Sequence, residues 1–107
     1  MVKASVMKRN PMDIRVVVTG IGTVNPLGNT VKDYWENLKS GKSGVRKIQN
    51  VDIDNYSISI AGEVNPPDPT EYFKEKKMAR RLDRYVVYGY IAGTQALRDS
   101  GLDTEAN

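Results

Sequence analysis

The residues best suited to chemistry in this sequence form a run of cations between positions 74 and 84. The run holds six lysines and arginines against two acidic side chains, Glu75 and Asp83. Like charges at helical spacing repel by a few tenths of a kcal/mol per pair, so an anionic partner would relieve them. Four cations stand at i, i+3, i+4 and i+7, which predicts one helical stripe: Lys77, Arg80, Arg81 and Arg84.

Two interpretations of this stripe stay open at the level of composition. Charge runs are most often solvated surfaces, and composition alone favours that interpretation. The alternative is a docking surface for an acidic protein or a phosphate group, where the cations would raise the association rate and set the register. Nucleic acid is disfavoured, because no aromatic platform is interleaved with the charges. The opposite side of the helix is predicted to face a core: Met78, Ala79, Leu82, Tyr85 and Val86.

Few other residue types could catalyse a reaction, because the chain contains no cysteine and no histidine. Disulfides, thiol nucleophiles, thiolate metal sites and histidine bases are therefore excluded. Acid–base chemistry would depend on Asp, Glu, Lys or Tyr. We expect neither a self-contained enzyme nor a cofactor or metal site.

Two glycine motifs resemble phosphate-binding loops and fail on their spacing. Gly20-x-Gly22 has Asn25, not a third glycine, where the dinucleotide fingerprint opens its helix. The tripeptide 41–43 follows a helix, whereas a phosphate-binding loop opens one. We predict that the first motif is a tight loop needing glycine dihedral angles.

The first half of the chain predicts one strand, one helix and a region of short strands. Residues 14–19 are a β-branched run typical of a strand covered on both faces. Asn29 or Thr30 can cap a helix that ends at residues 40–41. Short strands are predicted within 45–51 and 56–64.

The second half predicts two helices. The proline-rich residues 65–69 interrupt the chain, and a helix is predicted over 70–82. Asp83 can cap a further helix over 84–100, which ends at Gly101. Gly89 and Gly93 cost helix stability, so we predict that another backbone packs closely on them.

The length fits one small domain, and the small net charge does not by itself indicate a nucleic-acid partner. The chain has 107 residues and a net charge of +3. Residues 1–13 are expected to be an N-terminal extension, with neither a secretory signal nor a membrane span, so the expected location is the cytoplasm. Residues 14–107 are expected to be an incomplete domain, because the predicted strand has no partner to form its sheet.

Four stretches, 15–28, 35–44, 61–62 and 88–102, resemble the β-ketoacyl-acyl-carrier-protein synthases, the elongating condensing enzymes of type II fatty-acid synthesis. The resemblance implies an α/β fold, with residues 14–107 as the N-terminal portion of the first domain of a thiolase-like layered αβαβα homodimer. Family members load an acyl chain onto a cysteine and condense it with decarboxylated malonyl-carrier protein, assisted by two histidines. This chain contains none of those catalytic residues, so no catalytic site is assigned to it.

The resemblance also implies the partners. Members dock acyl carrier protein through cations preceding the long helix, which match Lys77, Arg80 and Arg81, with Lys76 and Arg84 as neighbours. Acyl and malonyl thioesters would be the substrates, and neither nucleic acid nor membrane is expected. With this match, docking is favoured over a solvated surface.

Two other interpretations are kept. One is a non-catalytic relative similar to the chain-length-factor subunit of polyketide systems, which has the fold but a replaced nucleophile. The other is a stand-alone small basic binding module.

Overall fold

The computed structural model describes residues 14–105, and in them it contains three α-helices, one 3-10 turn and a two-stranded sheet. The elements are α1 (Val31–Lys39), β1 (Val45–Lys47), β2 (Ile60–Gly62), the 3-10 turn (Pro69–Glu71), α2 (Lys76–Arg81) and α3 (Arg84–Ser100). The expected N-terminal extension, residues 1–13, lies outside the described residues.

Helix α1 forms where its capping signals predicted it. The Thr30 hydroxyl accepts a hydrogen bond from the Asp33 N–H at 3.1 Å, which satisfies one of the free donors of the first turn. Lys39 pairs with Glu36 at 2.8 Å one turn back. Gly41 follows with φ 71°, a left-handed conformation that closes the helix.

The two strands form one antiparallel hairpin and are shorter than predicted. Val45 pairs with Gly62 and Lys47 with Ile60. Beyond β1, the N–H groups of Gln49 and Asn50 donate to the Glu63 carboxylate and leave the strand ladder. The strands therefore end because a side chain takes the donors that a longer ladder would need.

The prediction of a strand over residues 14–19 is wrong for the described structure. Ile14, Val16 and Val18 are 90%, 87% and 82% exposed, and no strand within residues 14–105 pairs with this run. A β-branched sequence favours an extended backbone, but only a neighbouring strand supplies the hydrogen bonds that make it a sheet strand.

The prediction of a single helix over 70–82 is also wrong, because the residues between Glu71 and Lys76 are not helical. The Asp68 carboxylate accepts from the Thr70 N–H at 2.8 Å and caps the 3-10 turn. Phe73 then leaves the helical path and is buried, 6% exposed, with its ring 4.5 Å from that of Tyr90 on α3. Burying an aromatic ring outweighs the extra helical hydrogen bonds of a continuous helix.

Helix α3 has the predicted bounds. Asp83 occupies the N-cap position, although its side chain makes no capping hydrogen bond, and Gly101 ends the helix with φ 67°. The prediction of close backbone contact at Gly89 and Gly93 is not met among the described residues, because nothing lies within 4 Å of a Cβ built at either.

Close backbone contact on α3 occurs instead at the N-terminal loop. A Cβ on Gly20 would overlap the carbonyl oxygen of Ala96, and one on Gly22 would overlap that of Ala92. Neither glycine has a positive φ. The predicted reason, unusual dihedral angles, is therefore wrong: these positions are glycine because the loop lies directly against the helix.

The buried core of the described residues is small. Phe73 and Ile91 are the buried apolar side chains within residues 14–105. None of the helices in that range is long and apolar enough to cross a membrane.

Candidate functional site

The candidate site is the basic cluster, defined as Lys76, Lys77, Arg80, Arg81 and Arg84. The first four lie on α2, and Arg84 is the first residue of α3. Leu82 separates the two helices with φ −97° and ψ 147°. The single stripe predicted through Arg84 is therefore wrong, because the helix that would carry it ends at Arg81.

All five side chains of the basic cluster are exposed. The ion pairs within residues 14–105 are Lys39–Glu36 and Arg46–Glu63, and neither includes a member of the cluster. The nearby Asp68 has a lowered pKa, because the Thr70 N–H donates to its carboxylate and, to a smaller extent, because Lys76 attracts the negative charge. The positive charge of the cluster is thus left largely uncompensated in the described part of the chain.

The basic cluster does not stabilise its own helix. The N-cap residue of α2, Glu75, makes no side-chain capping bond, and the first turn contains no acidic residue. Lys76 and Lys77 there oppose the positive end of the helix dipole, whereas Arg80 and Arg81 in the last turn suit the negative end. A six-residue helix with this charge arrangement gains little intrinsic stability.

An apolar surface lies beside the cations. Met78 is 53% and Leu82 37% exposed, so the predicted core-facing side of α2 is uncovered by the described residues. These two side chains line a hollow of about 430 Å³ with Glu75, Lys77 and Arg81. The surface therefore places apolar and charged side chains side by side, a combination typical of protein–protein contacts.

The orientation of α2 depends on two residues for which sequence analysis predicted no role. Among the described elements α2 packs chiefly on the 3-10 turn, and Tyr72 and Phe73 connect that turn to the helix. The Tyr72 ring lies 5.3 Å from the Arg98 guanidinium carbon, and its hydroxyl accepts from Gln95 at 3.3 Å. The Asp68-Pro69 pair is the sequence signal of a short capped turn that could have predicted this break.

Gln95 also connects α3 to the N-terminal loop. Its side-chain oxygen accepts from the Thr23 N–H at 3.1 Å, and its side-chain nitrogen donates to the Asn29 carbonyl at 2.6 Å. Ile21 adds a bond from its N–H to the Asp99 carboxylate at 3.0 Å. The loop, α3 and the segment before α2 are thus joined through one amide side chain.

A second hollow, of about 460 Å³, was not anticipated. It is strongly apolar and lies beside the hairpin, lined chiefly by Ile48, Val51, Ile53, Tyr56, Ile58 and Ile60. The alternation of Ile58 and Ile60, which predicted a short strand, is the sequence pattern that could have indicated an apolar surface here. Among residues 14–105 no group of acidic side chains is close enough together to hold a metal ion.

The sequence matches the family model of the beta-ketoacyl synthase N-terminal domain over residues 13–107. Because the match covers most of the chain, the chain belongs to this family, whose members are condensing acyltransferases. The predicted fold class is confirmed as the N-terminal region of a ketosynthase, here a mixed helix and strand structure.

Curated relatives point to one member of the family. The chain is 50% identical over 94 residues to 3-oxoacyl-[acyl-carrier-protein] synthase 2 of Vibrio harveyi, covering 87% of this chain and 22% of the relative. The enzyme of the same name from Staphylococcus aureus (strain MRSA252) is 41% identical over 95 residues, covering 89% and 23%. The chain therefore spans about a fifth of the length of the curated relatives it matches.

A solved structure matches as well. The ishigamide ketosynthase/chain length factor superposes with a TM-score of 0.72 at 28% identity, covering 83% of this chain and 22% of that one. This similarity supports the described arrangement of the loop, hairpin and helices.

Proposed function

We propose that this chain is the N-terminal part of a 3-oxoacyl-[acyl-carrier-protein] synthase of fatty-acid synthesis. The enzyme would transfer an acyl group to its cysteine, releasing the donor thiol. The malonyl group of a carrier protein would then lose CO₂ and bond through its C2 carbon to the acyl carbonyl, freeing the cysteine. Family membership and 50% identity to a synthase of that name support this proposal.

Within this function the basic cluster is the docking surface for acyl carrier protein. The observation that carries this assignment is five exposed cations without an ion-pair partner among the described residues. An acidic carrier protein would compensate their charge, steer its own approach and fix its register on α2.

The catalytic groups would be supplied outside this chain, which has no cysteine and no histidine. On this proposal residues 14–107 are the first portion of the first thiolase-like domain. A homodimer in the cytoplasm belongs to the same proposal. The bound thioesters would be oriented by the remainder of the domain, while α2 would hold the carrier.

The first experiment is the denatured mass of the protein purified from its source. A mass several times 11.9 kDa agrees with a complete synthase. A mass of 11.9 kDa would contradict the condensing function, because such a protein contains no nucleophilic cysteine.

The second experiment reverses two charges of the basic cluster. Arg80→Glu with Arg81→Glu should raise the KM for malonyl-carrier protein about tenfold, which corresponds to the loss of close charge pairs at a docking surface. Lys32→Glu with Lys42→Glu, on α1 and just after it, makes the same change of charge at exposed lysines that form no ion pair within residues 14–105, and is the control. An unchanged KM in the α2 variant would exclude the docking assignment.

A non-catalytic chain-length-factor-like relative is the second candidate. The matched solved structure is named for both a ketosynthase and a chain length factor and so agrees with either candidate, and the family's nucleophile position lies outside the residues in this chain. Sequencing the purified protein through that position distinguishes the two: cysteine supports the enzyme, and any other residue supports the non-catalytic relative.

A further inference from the structure

We infer that Tyr72 is a positioning residue for carrier docking: held by Gln95 and Arg98 of α3, it sets the orientation in which α2 presents the basic cluster. This inference rests on the proposed function. It concerns a residue on the segment before α2, outside the basic cluster.

Helix α2 is only weakly held by its own contacts. The helix has six residues, lacks a side-chain cap, and leaves Met78 and Leu82 exposed. Its most extensive packing within residues 14–105 is against the 3-10 turn. A helix with so few contacts takes its direction from the segments at its two ends.

The segment before α2 is attached to α3, the longest of the described helices. The Tyr72 hydroxyl accepts a hydrogen bond from Gln95, and its ring lies under the Arg98 guanidinium. Phe73, the next residue, stacks on Tyr90 with ring centroids 4.5 Å apart. Two consecutive side chains therefore contact α3 at three of its residues, and this fixes the direction in which the chain enters α2.

The two aromatic residues of this segment differ in burial and in the contacts that hold them. Phe73 is buried, so its loss would disturb folding itself. Tyr72 is only half-buried, and its ring is held by a polar bond and a cation–π contact. Replacing Tyr72 should therefore loosen the orientation of α2 while the buried contact of Phe73 preserves the fold.

The experiment compares Tyr72→Leu with Tyr56→Leu, the same substitution on an exposed tyrosine of the loop between β1 and β2. It is made in the complete protein that carries this chain. Neither variant changes a charge, so any effect on docking is geometric. We expect Tyr72→Leu to raise the KM for malonyl-carrier protein about fivefold, less than the rise of about tenfold expected from the charge reversals, because the cations remain and only their orientation changes. The KM for malonyl-coenzyme A, which has no protein to dock, and kcat should stay within about twofold of wild type.

A triple variant tests whether Tyr72 acts through the cluster. In Tyr72→Leu combined with Arg80→Glu and Arg81→Glu, the KM for the carrier substrate should be no higher than with the two charge reversals alone, because the positioned charges are already gone. Additive effects would contradict the inference.

The other outcomes are distinguishable. If the charge reversals raise the carrier KM and Tyr72→Leu does not, the docking proposal stands and the positioning role is wrong. If Tyr72→Leu impairs both malonyl substrates equally, Tyr72 is a folding residue and the inference is again wrong. If neither change affects the carrier KM, the proposed docking function itself fails.

Discussion

Helices α1 and α2 are both short and each has lysine in its first turn, yet of the two only α1 has an acidic residue and a side-chain cap there. In α1 the Thr30 hydroxyl caps the first turn, Asp33 lies in that turn, and Lys39 pairs with Glu36. In α2 no side chain caps the first turn, lysines occupy it, and none of its cations is paired within the described residues.

The difference shows what each charge arrangement is for. The side chains of α1 satisfy that helix's own free N–H groups and complement its dipole. The first-turn lysines of α2 oppose the local rules of helix stability, and such departures are expected where function has been favoured over stability. On the proposed function, α1 belongs to the scaffold and α2 to the docking surface for the carrier protein.

The largest expected effect concerns the scaffold. Gly22→Ala would place a Cβ against the Ala92 carbonyl oxygen and 2.8 Å from the Ala96 nitrogen, both rigid backbone atoms. Overpacking of this kind should cost about 2–3 kcal/mol of stability, measured by chemical unfolding. Gly93→Ala is the control, since nothing described lies within 4 Å of its Cβ. Equal stability losses would contradict the close approach of the loop to α3.

A smaller effect is expected at the cap of α1. Thr30→Ala removes the acceptor for the Asp33 N–H and should destabilise α1 by about 1 kcal/mol. Amide hydrogen exchange of residues 31–35 would measure it. Glu75→Ala, at the corresponding position of α2, removes no capping bond and should leave the exchange of α2 unchanged. A comparable loss of amide protection in α2 would show that the two helices do not differ in capping.

Neutralising a single lysine on each helix gives a finer comparison of α1 with α2. Lys77→Met in α2 should raise the KM for the carrier substrate about twofold without changing stability, because exposed charges contribute little to folding. Raising the ionic strength should reduce the difference from wild type, since salt screens exposed charges. Lys32→Met in α1 is the matched control, and an equal effect there would show nonspecific attraction.

The smallest effect is a pH dependence at the end of β1. The pKa of Glu63 is lowered from 4.5, because the Asn50 N–H donates to its carboxylate, with further contributions from the Gln49 N–H and Arg46. Its stabilising contribution is therefore complete above pH 4.5 and disappears as the pH falls through the lowered value.

Amide exchange at Gln49 and Asn50 measures this contribution. Protection should decrease below pH 4.5 in the wild type, and Glu63→Gln should remove that acid-dependent step. Glu71→Gln makes the same chemical change outside this group of hydrogen bonds and should keep the step. If the step persists in Glu63→Gln, another group causes it.

Local signals predicted α1 and α3 well, whereas the single helix predicted over 70–82 was wrong. The cap at Thr30 and the glycines that end α1 and α3 act within one turn of the backbone, so neighbouring residues suffice to predict them. The resemblance of four stretches to the condensing enzymes was likewise readable from the residues, and the family is confirmed. The basic cluster was named from spacing and resemblance, and its docking role remains a prediction.

Sequence alone therefore determined the helix boundaries at caps, the family and the candidate cations. Only the tertiary structure decided that the helix predicted over 70–82 breaks at Tyr72 and Phe73, that Arg84 leaves the stripe, and that the β-branched run near the N-terminus is unpaired. It also showed that Gly22 is required by the approach of α3. The physical reason is range: caps depend on adjacent residues, whereas ring burial, strand pairing and backbone contact depend on partners many residues away.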